Sequence, residues 1–187
     1  MAIGGRGMLL EAGKSVLCVI DVQKRLAPAT AEPERVIAKC ALLMEAAAKL
    51  GVPMLISEQY PKGLGPTVDA LGKLAPEGSI FPKLHFSCAD DPDFRARLDG
   101  LGRTQAVLTG MEAHVCVLQT ALGARNAGYQ VAVVADAVSS RDPANKAAAL
   151  QRLAANGVEI ATAEMVVFEW LKAAGTDAFR ALSPLIR

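Results

Sequence analysis

Six short apolar segments, separated by longer amphipathic ones, constrain the fold of this chain most strongly. The first, Ser15–Asp21, is too short for a helix and rich in β-branched residues, which is typical of a strand buried on both faces. Comparable segments occupy residues 52–57, 79–83, 106–109, 129–135 and 158–162. Because strands alternate with helical segments, we predict an α/β fold with a parallel sheet and right-handed crossovers.

The intervening segments have helical spacing and recognisable ends. Apolar residues recur at helical spacing from Glu34 to Leu50, and Gly51 follows as a stop signal. Further helices are predicted over residues 93–101, from near Cys116 to 126, and over 143–156, 165–173 and 177–186. We predict one domain over residues 1–187, since the length suits a single core, with a loose tail at residues 1–12.

The overall charge and the cysteines narrow the class of protein. Lys plus Arg number 20 against 19 for Asp plus Glu, without a basic run, so we expect no nucleic-acid partner. No apolar run approaches the roughly 18 residues of a membrane span, and residues 1–7 lack a signal-peptide core. The four cysteines form no C-x-x-C pair, so we expect no disulfides and a cytoplasmic location. A hydrophobic fraction of 52% hints at a homo-oligomer.

Three chemically capable residues follow predicted strands. They are Asp21, Lys83 and Cys116, and ligands of open parallel sheets bind at the carboxyl ends of the strands. Cys116 is predicted near the start of a helix, where the helix dipole would lower its pKa. Taken singly, each residue has a plainer interpretation: Asp21 as a turn cap, Lys83 as a solvated lysine, and Cys116 as a small buried hydrophobe.

Together the three residues form a plausible nucleophilic site. Asp21 can accept the thiol proton and later activate water. Lys83 supplies positive charge that favours an ionised partner. Cys116 can attack a carbonyl carbon to form a thioester, with backbone N–H groups of the adjacent turn stabilising the oxyanion. The sequence therefore predicts a small-molecule substrate.

The same segments resemble the isochorismatase-like cysteine hydrolases over about residues 12 to 187. Residues 19–23 (VIDVQ) match the segment of the family's acid, residues 81–88 (FPKLHFSC) that of its lysine, and residues 110–117 (GMEAHVCV) that of its cysteine. The resemblance implies Asp21, Lys83 and Cys116 as catalytic residues, a cis peptide between Met111 and Glu112, and oxyanion donors at the backbone N–H groups of Glu112 and Cys116. It also implies a three-layer Rossmann-like sandwich with a mostly parallel six-stranded sheet in the order 3-2-1-4-5-6.

Three stretches look closest to the isochorismatase domain-containing, YcaC-like branch. They are residues 59–65 (QYPKGLG), 112–116 (EAHVC) and 135–141 (ADAVSSR). The Asp-x-His pair of metal-binding nicotinamidases is absent from residues 57–60, and only His85 and His114 occur in the chain. We therefore predict no metal and no other cofactor. Gln23, Tyr60, His85 and His114 are candidate pocket residues.

Several functional alternatives stay open at this point. The leading hypothesis is a metal-independent hydrolase of small amides, and the others are a catalytically silent interaction scaffold and a redox-sensing thiol protein. The Tyr60–Pro66 loop is either a lid over the pocket or a plain surface connection. Asp136, Ser139 and Ser140 are expected to cap the helix that follows them.

Overall fold

The computed structural model describes residues 8–186, whose centre is a six-stranded parallel sheet in the order β3-β2-β1-β4-β5-β6. The strands are β1 (Ser15–Ile20), β2 (Met54–Gln59), β3 (Ile80–Lys83), β4 (Gln105–Met111), β5 (Gln130–Ser139) and β6 (Glu159–Ala161). The helices are α1 (Pro33–Leu50), α2 (Pro61–Leu64), α3 (Asp69–Gly72), α4 (Pro92–Gly100), α5 (Leu118–Asn126), α6 (Pro143–Ala155), α7 (Ala163–Leu171) and α8 (Asp177–Leu182). The predicted α/β fold, sheet and strand order are confirmed.

Helices cover both faces of the sheet and bury two separate cores. Leu17 and Val19 of β1 face the core formed with α1, α3, α7 and α8. Val16, Cys18 and Ile20 face the opposite core, formed with α4, α5 and α6. Every residue of β1 is buried, which explains why its sequence is continuously apolar rather than alternating. The result is the expected three-layer sandwich.

Strand β5 ends four residues later than predicted. The pairing of β4 with β5 shifts between Leu108 and Gly110, and β5 continues to Ser139 beyond this irregularity. The expectation that Asp136, Ser139 and Ser140 cap the next helix was therefore wrong. Asp142 caps α6, accepting a hydrogen bond from Ala144 N at 2.8 Å.

Asp136 instead acts on a different helix. It lies at the irregular part of β5, and its Oδ1 accepts a hydrogen bond of 2.8 Å from the backbone N–H of Ala163, at the start of α7. Thr162 caps the same helix, which begins two residues earlier than predicted. The chain end also differs, since α8 stops at Leu182 and Ser183–Leu185 forms a 3₁₀ turn containing Pro184, which cannot donate a backbone hydrogen bond.

The predicted N-terminal tail is only partly within the described residues. Residues 1–7 lie outside them. Leu10 is buried, and its N–H donates a hydrogen bond to Glu169 of α7. Glu11 N donates to the side chain of Gln105 at the start of β4. The chain is therefore packed on the domain from Leu10 onward.

Candidate active site

Asp21 directly follows β1 at the centre of the sheet and is fully buried. Its φ of 53° lies in the left-handed region, and its N–H donates to Ser57 O at 3.0 Å. Ser57 Oγ donates to Asp21 Oδ1 at 2.7 Å, which orients the carboxylate. The strand end and the neighbouring strand β2 thus fix this acid in one position.

Lys83 ends β3, and its side chain extends past the end of β2 to Asp21. Lys83 Nζ lies 2.8 Å from Asp21 Oδ2 and donates a hydrogen bond of 2.7 Å to Gln59 Oε1. The backbone oxygens of His85 and Phe86 accept at 3.2 Å each. Burial alone would lower the pKa of the Lys83 ammonium, but the Asp21 charge and the other nearby acidic groups outweigh it, so that pKa is raised.

Gly110 lets β4 approach β1 closely next to this acid. A Cβ at Gly110 would lie 2.0 Å from Ile20 O, and the residue's φ of 115° also favours glycine. The close approach brings the turn after β4 alongside Asp21. That turn is π-helical, spans Ala113–Val117 and carries Cys116 just before α5.

Cys116 is 5% exposed, and its surroundings disfavour the thiolate. Burial raises the pKa of the Cys116 thiol, and the negative charge of Asp21 raises it further. Lys83 acts in the opposite direction without reversing the shift. The prediction of a thiol with lowered pKa was wrong, because desolvation and the nearby carboxylate dominate over the helix start. The resting form of Cys116 is a neutral thiol under the influence of the Asp21 charge.

The peptide bond between Met111 and Glu112 is cis, which confirms the expectation drawn from the resemblance. It lies between the end of β4 and the Cys116 turn. The backbone carbonyl of Glu112 accepts hydrogen bonds from Val115 N and Val117 N. The use of the Glu112 and Cys116 N–H groups as oxyanion donors stays a prediction.

A cavity of about 440 Å³ opens onto Cys116. Its lining combines apolar and charged side chains: Arg25, Leu26, Ala29, Gln59, Leu64, Phe86, Glu112, Val115, Cys116 and Arg141. Such a volume suits a small ligand. Asp21 and Lys83 are not among these lining residues.

The four residues predicted for the pocket lie elsewhere. Gln23 is buried, and its amide group bonds to Gln59 O, Gln59 N and Gly65 O, which holds the start and end of the predicted lid segment together. Tyr60 is 52% exposed on the surface. His85 lines a separate depression beside Asp91. His114 Nδ1 hydrogen-bonds with Ser140 Oγ at 3.0 Å. None of the four is among the cavity's lining residues, and lid motion stays a prediction.

Two residues that hold Asp21 and Lys83 were missed by the sequence analysis. Ser57 and Gln59 belong to β2 and bond to Asp21 and Lys83 respectively. Their position at the carboxyl end of a strand next to Asp21 was a usable signal. Among residues 8–186, no group of three or more His, Cys, Asp and Glu side chains is arranged to hold a metal ion.

The sequence pattern of the isochorismatase domain matches residues 15–165. The chain belongs to the isochorismatase family. Zebrafish (Danio rerio) isochorismatase domain-containing protein 1 is 37% identical over 179 residues, a match that covers 95% of this chain and 62% of that protein. The chain thus spans less than two thirds of that relative's length.

Two solved structures show how closely this member follows known folds. MAR1 ribonuclease from Caenorhabditis elegans has a TM-score of 0.90 and 33% identity, covering 96% of this chain and 92% of that one. The YcaC gene product of Escherichia coli, an octameric hydrolase of unknown specificity, has a TM-score of 0.92 at 22% identity, covering 97% and 92%. The second likeness concerns the fold alone. The family and its hydrolase fold are therefore established for this chain.

Proposed function

We propose that this isochorismatase-family protein is a metal-independent cysteine hydrolase that cleaves a C–N bond in a small amide. Cys116 is the nucleophile, Asp21 the general base and acid, and Lys83 the charge that holds Asp21 in place. The observation that carries the proposal is the buried ion pair between Lys83 Nζ and Asp21 Oδ2, 2.8 Å, whose Asp21 charge acts on the Cys116 thiol beside a cavity.

In the first half-reaction Cys116 Sγ attacks the amide carbonyl carbon while its proton passes to Asp21. The carbonyl oxygen becomes an oxyanion that accepts hydrogen bonds from the backbone N–H groups of Glu112 and Cys116, each worth about 3 kcal/mol in a site shielded from water. When the C–N bond breaks, the proton on Asp21 is transferred to the leaving nitrogen. The products of this step are an amine or ammonia and a thioester on Cys116.

In the second half-reaction water attacks the thioester carbonyl carbon. Asp21 accepts a proton from that water, and the C–S bond breaks to release a carboxylic acid. The proton on Asp21 returns to the sulfur, which restores the neutral thiol. The raised pKa of Cys116 suits this cycle, because proton transfer is coupled to attack rather than completed beforehand.

Ammonia release from a panel of primary amides tests the activity. We expect turnover by the wild-type protein and loss of at least about a hundredfold in Cys116→Ala, since the thioester route is removed. Cys40→Ala is the matched control, because Cys40 is also buried but lies in the opposite core. Equal turnover by Cys116→Ala and wild type would overturn the proposal.

An RNA oligonucleotide belongs in the same assay, because the C. elegans relative is named a ribonuclease. RNA cleavage that survives in Cys116→Ala would point to another site. Peroxide treatment distinguishes a redox sensor from a hydrolase. In a redox sensor, Cys116 oxidises reversibly and no amide is turned over. A silent scaffold would fold and bind a specific partner protein without either reaction.

Assembly and location follow as parts of the proposal. The octameric state named for YcaC supports a homo-oligomer for this chain. The four cysteines are free and buried, which suits a reducing compartment such as the cytoplasm. None of the described helices is long and apolar enough to cross a membrane.

A further inference from the structure

The Glu112 side chain is an unusual group to find in the cavity wall. It is 7% exposed, and its Oε1 is buried without a hydrogen bond. Arg141 Nε lies 2.6 Å from that oxygen, yet the two form no hydrogen bond, so the N–H is not directed at it. The other oxygen lies 3.6 Å from His114 Nε2, beyond hydrogen-bond distance.

A buried carboxylate oxygen without a hydrogen bond is energetically unfavourable, because an ion pair with poor hydrogen-bond geometry replaces only part of the lost hydration. The neighbouring carboxylate Asp21 shows the ordinary arrangement, with hydrogen bonds from Ser57 and Lys83. Glu112 has acceptor capacity left over and lines the same cavity as Cys116. A donor from a bound molecule would satisfy it.

Arg141 is poorly suited to be the permanent partner of Glu112. Its side chain is 66% exposed, so solvent competes with Glu112 for the guanidinium. Arg141 also lines the cavity, so it can be displaced outward by a ligand group that binds Glu112. Its long flexible side chain makes that displacement inexpensive.

We propose that Glu112 is the substrate-selecting residue of the cavity and binds an N–H donor on the substrate, such as an amine, an amidine or a second amide group. Because this role rests on the proposed hydrolase activity, the substrates are small amides that carry such a donor in addition to the scissile bond. The backbone N–H of Glu112 and its side chain then act on different parts of one substrate. Arg141 competes with the substrate for the carboxylate.

Thiol-reactive probes test the subsite without any turnover. The first pair is 2-aminoethyl methanethiosulfonate and its uncharged isostere propyl methanethiosulfonate, which differ in a cationic N–H donor. The second pair is iodoacetamide and 2-iodo-N,N-dimethylacetamide, which differ in a neutral donor. The rate of modification at Cys116 is followed by peptide mass spectrometry, and each ratio is normalised to glutathione. The ratio within a pair cancels the intrinsic reactivity of the thiol.

Glu112→Gln should lower the cation preference about tenfold and the preference for iodoacetamide at least threefold relative to wild type. Arg141→Gln should raise both ratios, since it frees the carboxylate. Glu45→Gln is the matched control, an exposed position on α1 with the same loss of charge, and should leave both ratios unchanged. Unfolding curves of the variants check that they remain native.

Unchanged ratios in a folded Glu112→Gln variant would overturn the inference. A change confined to the cationic pair would also overturn it, because a distant charge would then explain the result without a hydrogen bond. The amide panel separates the two proposals. Donor-dependent probe rates without ammonia release would contradict the hydrolase proposal and support the Glu112 subsite. Ammonia release without a donor preference would support the hydrolase proposal and contradict the Glu112 subsite.

Discussion

Asp21 is the residue on which the other members of the site converge. It contacts Lys83 on one oxygen and Ser57 on the other, and its charge helps to raise the pKa of Cys116. In the proposed mechanism Asp21 also accepts the thiol proton, so it disfavours the resting thiolate and acts as a base only during attack. Asp21 should therefore increase turnover while it decreases the ionisation of the resting Cys116 thiol.

Asp21→Asn should lower turnover while raising the ionised fraction of the Cys116 thiol. Asparagine tolerates the left-handed backbone at this position, so the fold should persist. Amide turnover should fall about 10²- to 10⁴-fold, because the base is lost. The pKa of Cys116, read from the pH dependence of iodoacetamide labelling, should fall, since a negative charge is removed while Lys83 remains.

The exposed Asp93→Asn on α4 is the control for a general change in charge. It should leave both the turnover and the labelling profile at their wild-type values. An Asp21→Asn protein with normal turnover, or with an unchanged inflection in the labelling profile, would remove Asp21 from the mechanism.

Residue positions were more predictable from the sequence than residue environments. Asp21, Lys83 and Cys116 each follow a strand or its turn, and the alternation of strands and helices suffices to place them at one edge. The direction of the Cys116 pKa shift depends on burial and on the distance to Asp21, which no local pattern encodes. Glu112 and Arg141 likewise meet in the cavity only through the folding of two separate segments.

At the scale of elements, the passage from β4 into the Cys116 turn positions the nucleophile. Gly110 is its critical residue, because only a residue without Cβ fits against Ile20 O. Sequence analysis identified the strand and the helix but not the π-helical turn between them. The turn packs against α5, α6, β4 and β5, contacts that no local residue preference encodes.

Gly110→Ala should destabilise the protein by several kcal/mol and reduce turnover in whatever folded fraction remains. The added Cβ would meet backbone atoms of Ile20 that have no room to move, and the positive φ adds strain. Urea unfolding and specific activity measure the two effects. Gly13→Ala is the control, because its added Cβ would meet no atom within 4 Å. Equal stability of the two variants would contradict this account of the strand junction.

At the scale of the whole molecule, the sheet separates two cores that hold buried, protonated thiols. Burial raises the pKa of the thiols to about 12 for Cys40 in one core and to about 11 for Cys88 in the other. In an unfolded chain these thiols ionise near their ordinary value of 9.0. Above that pH the unfolded state binds fewer protons than the native state, so alkaline conditions favour unfolding.

The free energy of unfolding should therefore be nearly level between pH 7 and 8.5 and fall from about pH 9 upward. The slope should approach about 1.4 kcal/mol per pH unit for each thiol that ionises only on unfolding. Urea unfolding across this pH range measures the slope, and Cys40→Ala should reduce it by about 1.4 kcal/mol per pH unit, the contribution of one thiol. A free energy of unfolding that stays constant up to pH 10.5 would contradict the two-core description.

The global architecture was also the most predictable level. Apolar runs such as Ser15–Ile20 predict that both faces of the sheet are covered by helices. The family resemblance supplied the strand order. The extension of β5 was missed because Asp136 looks like a strand end, whereas its carboxylate caps α7, which follows the neighbouring strand β6. Contacts between segments distant in sequence decide such details.

The most direct test of the central claim is the detection of an acyl group on Cys116. The wild-type protein is mixed with a turned-over amide, quenched in acid within milliseconds to seconds, and mapped by peptide mass spectrometry. We expect a mass increase equal to the acyl part of the amide on the Cys116 peptide alone, removable by hydroxylamine and absent in Cys116→Ala. Turnover with no adduct on Cys116 at any quench time, or an adduct on another residue, would contradict the mechanism.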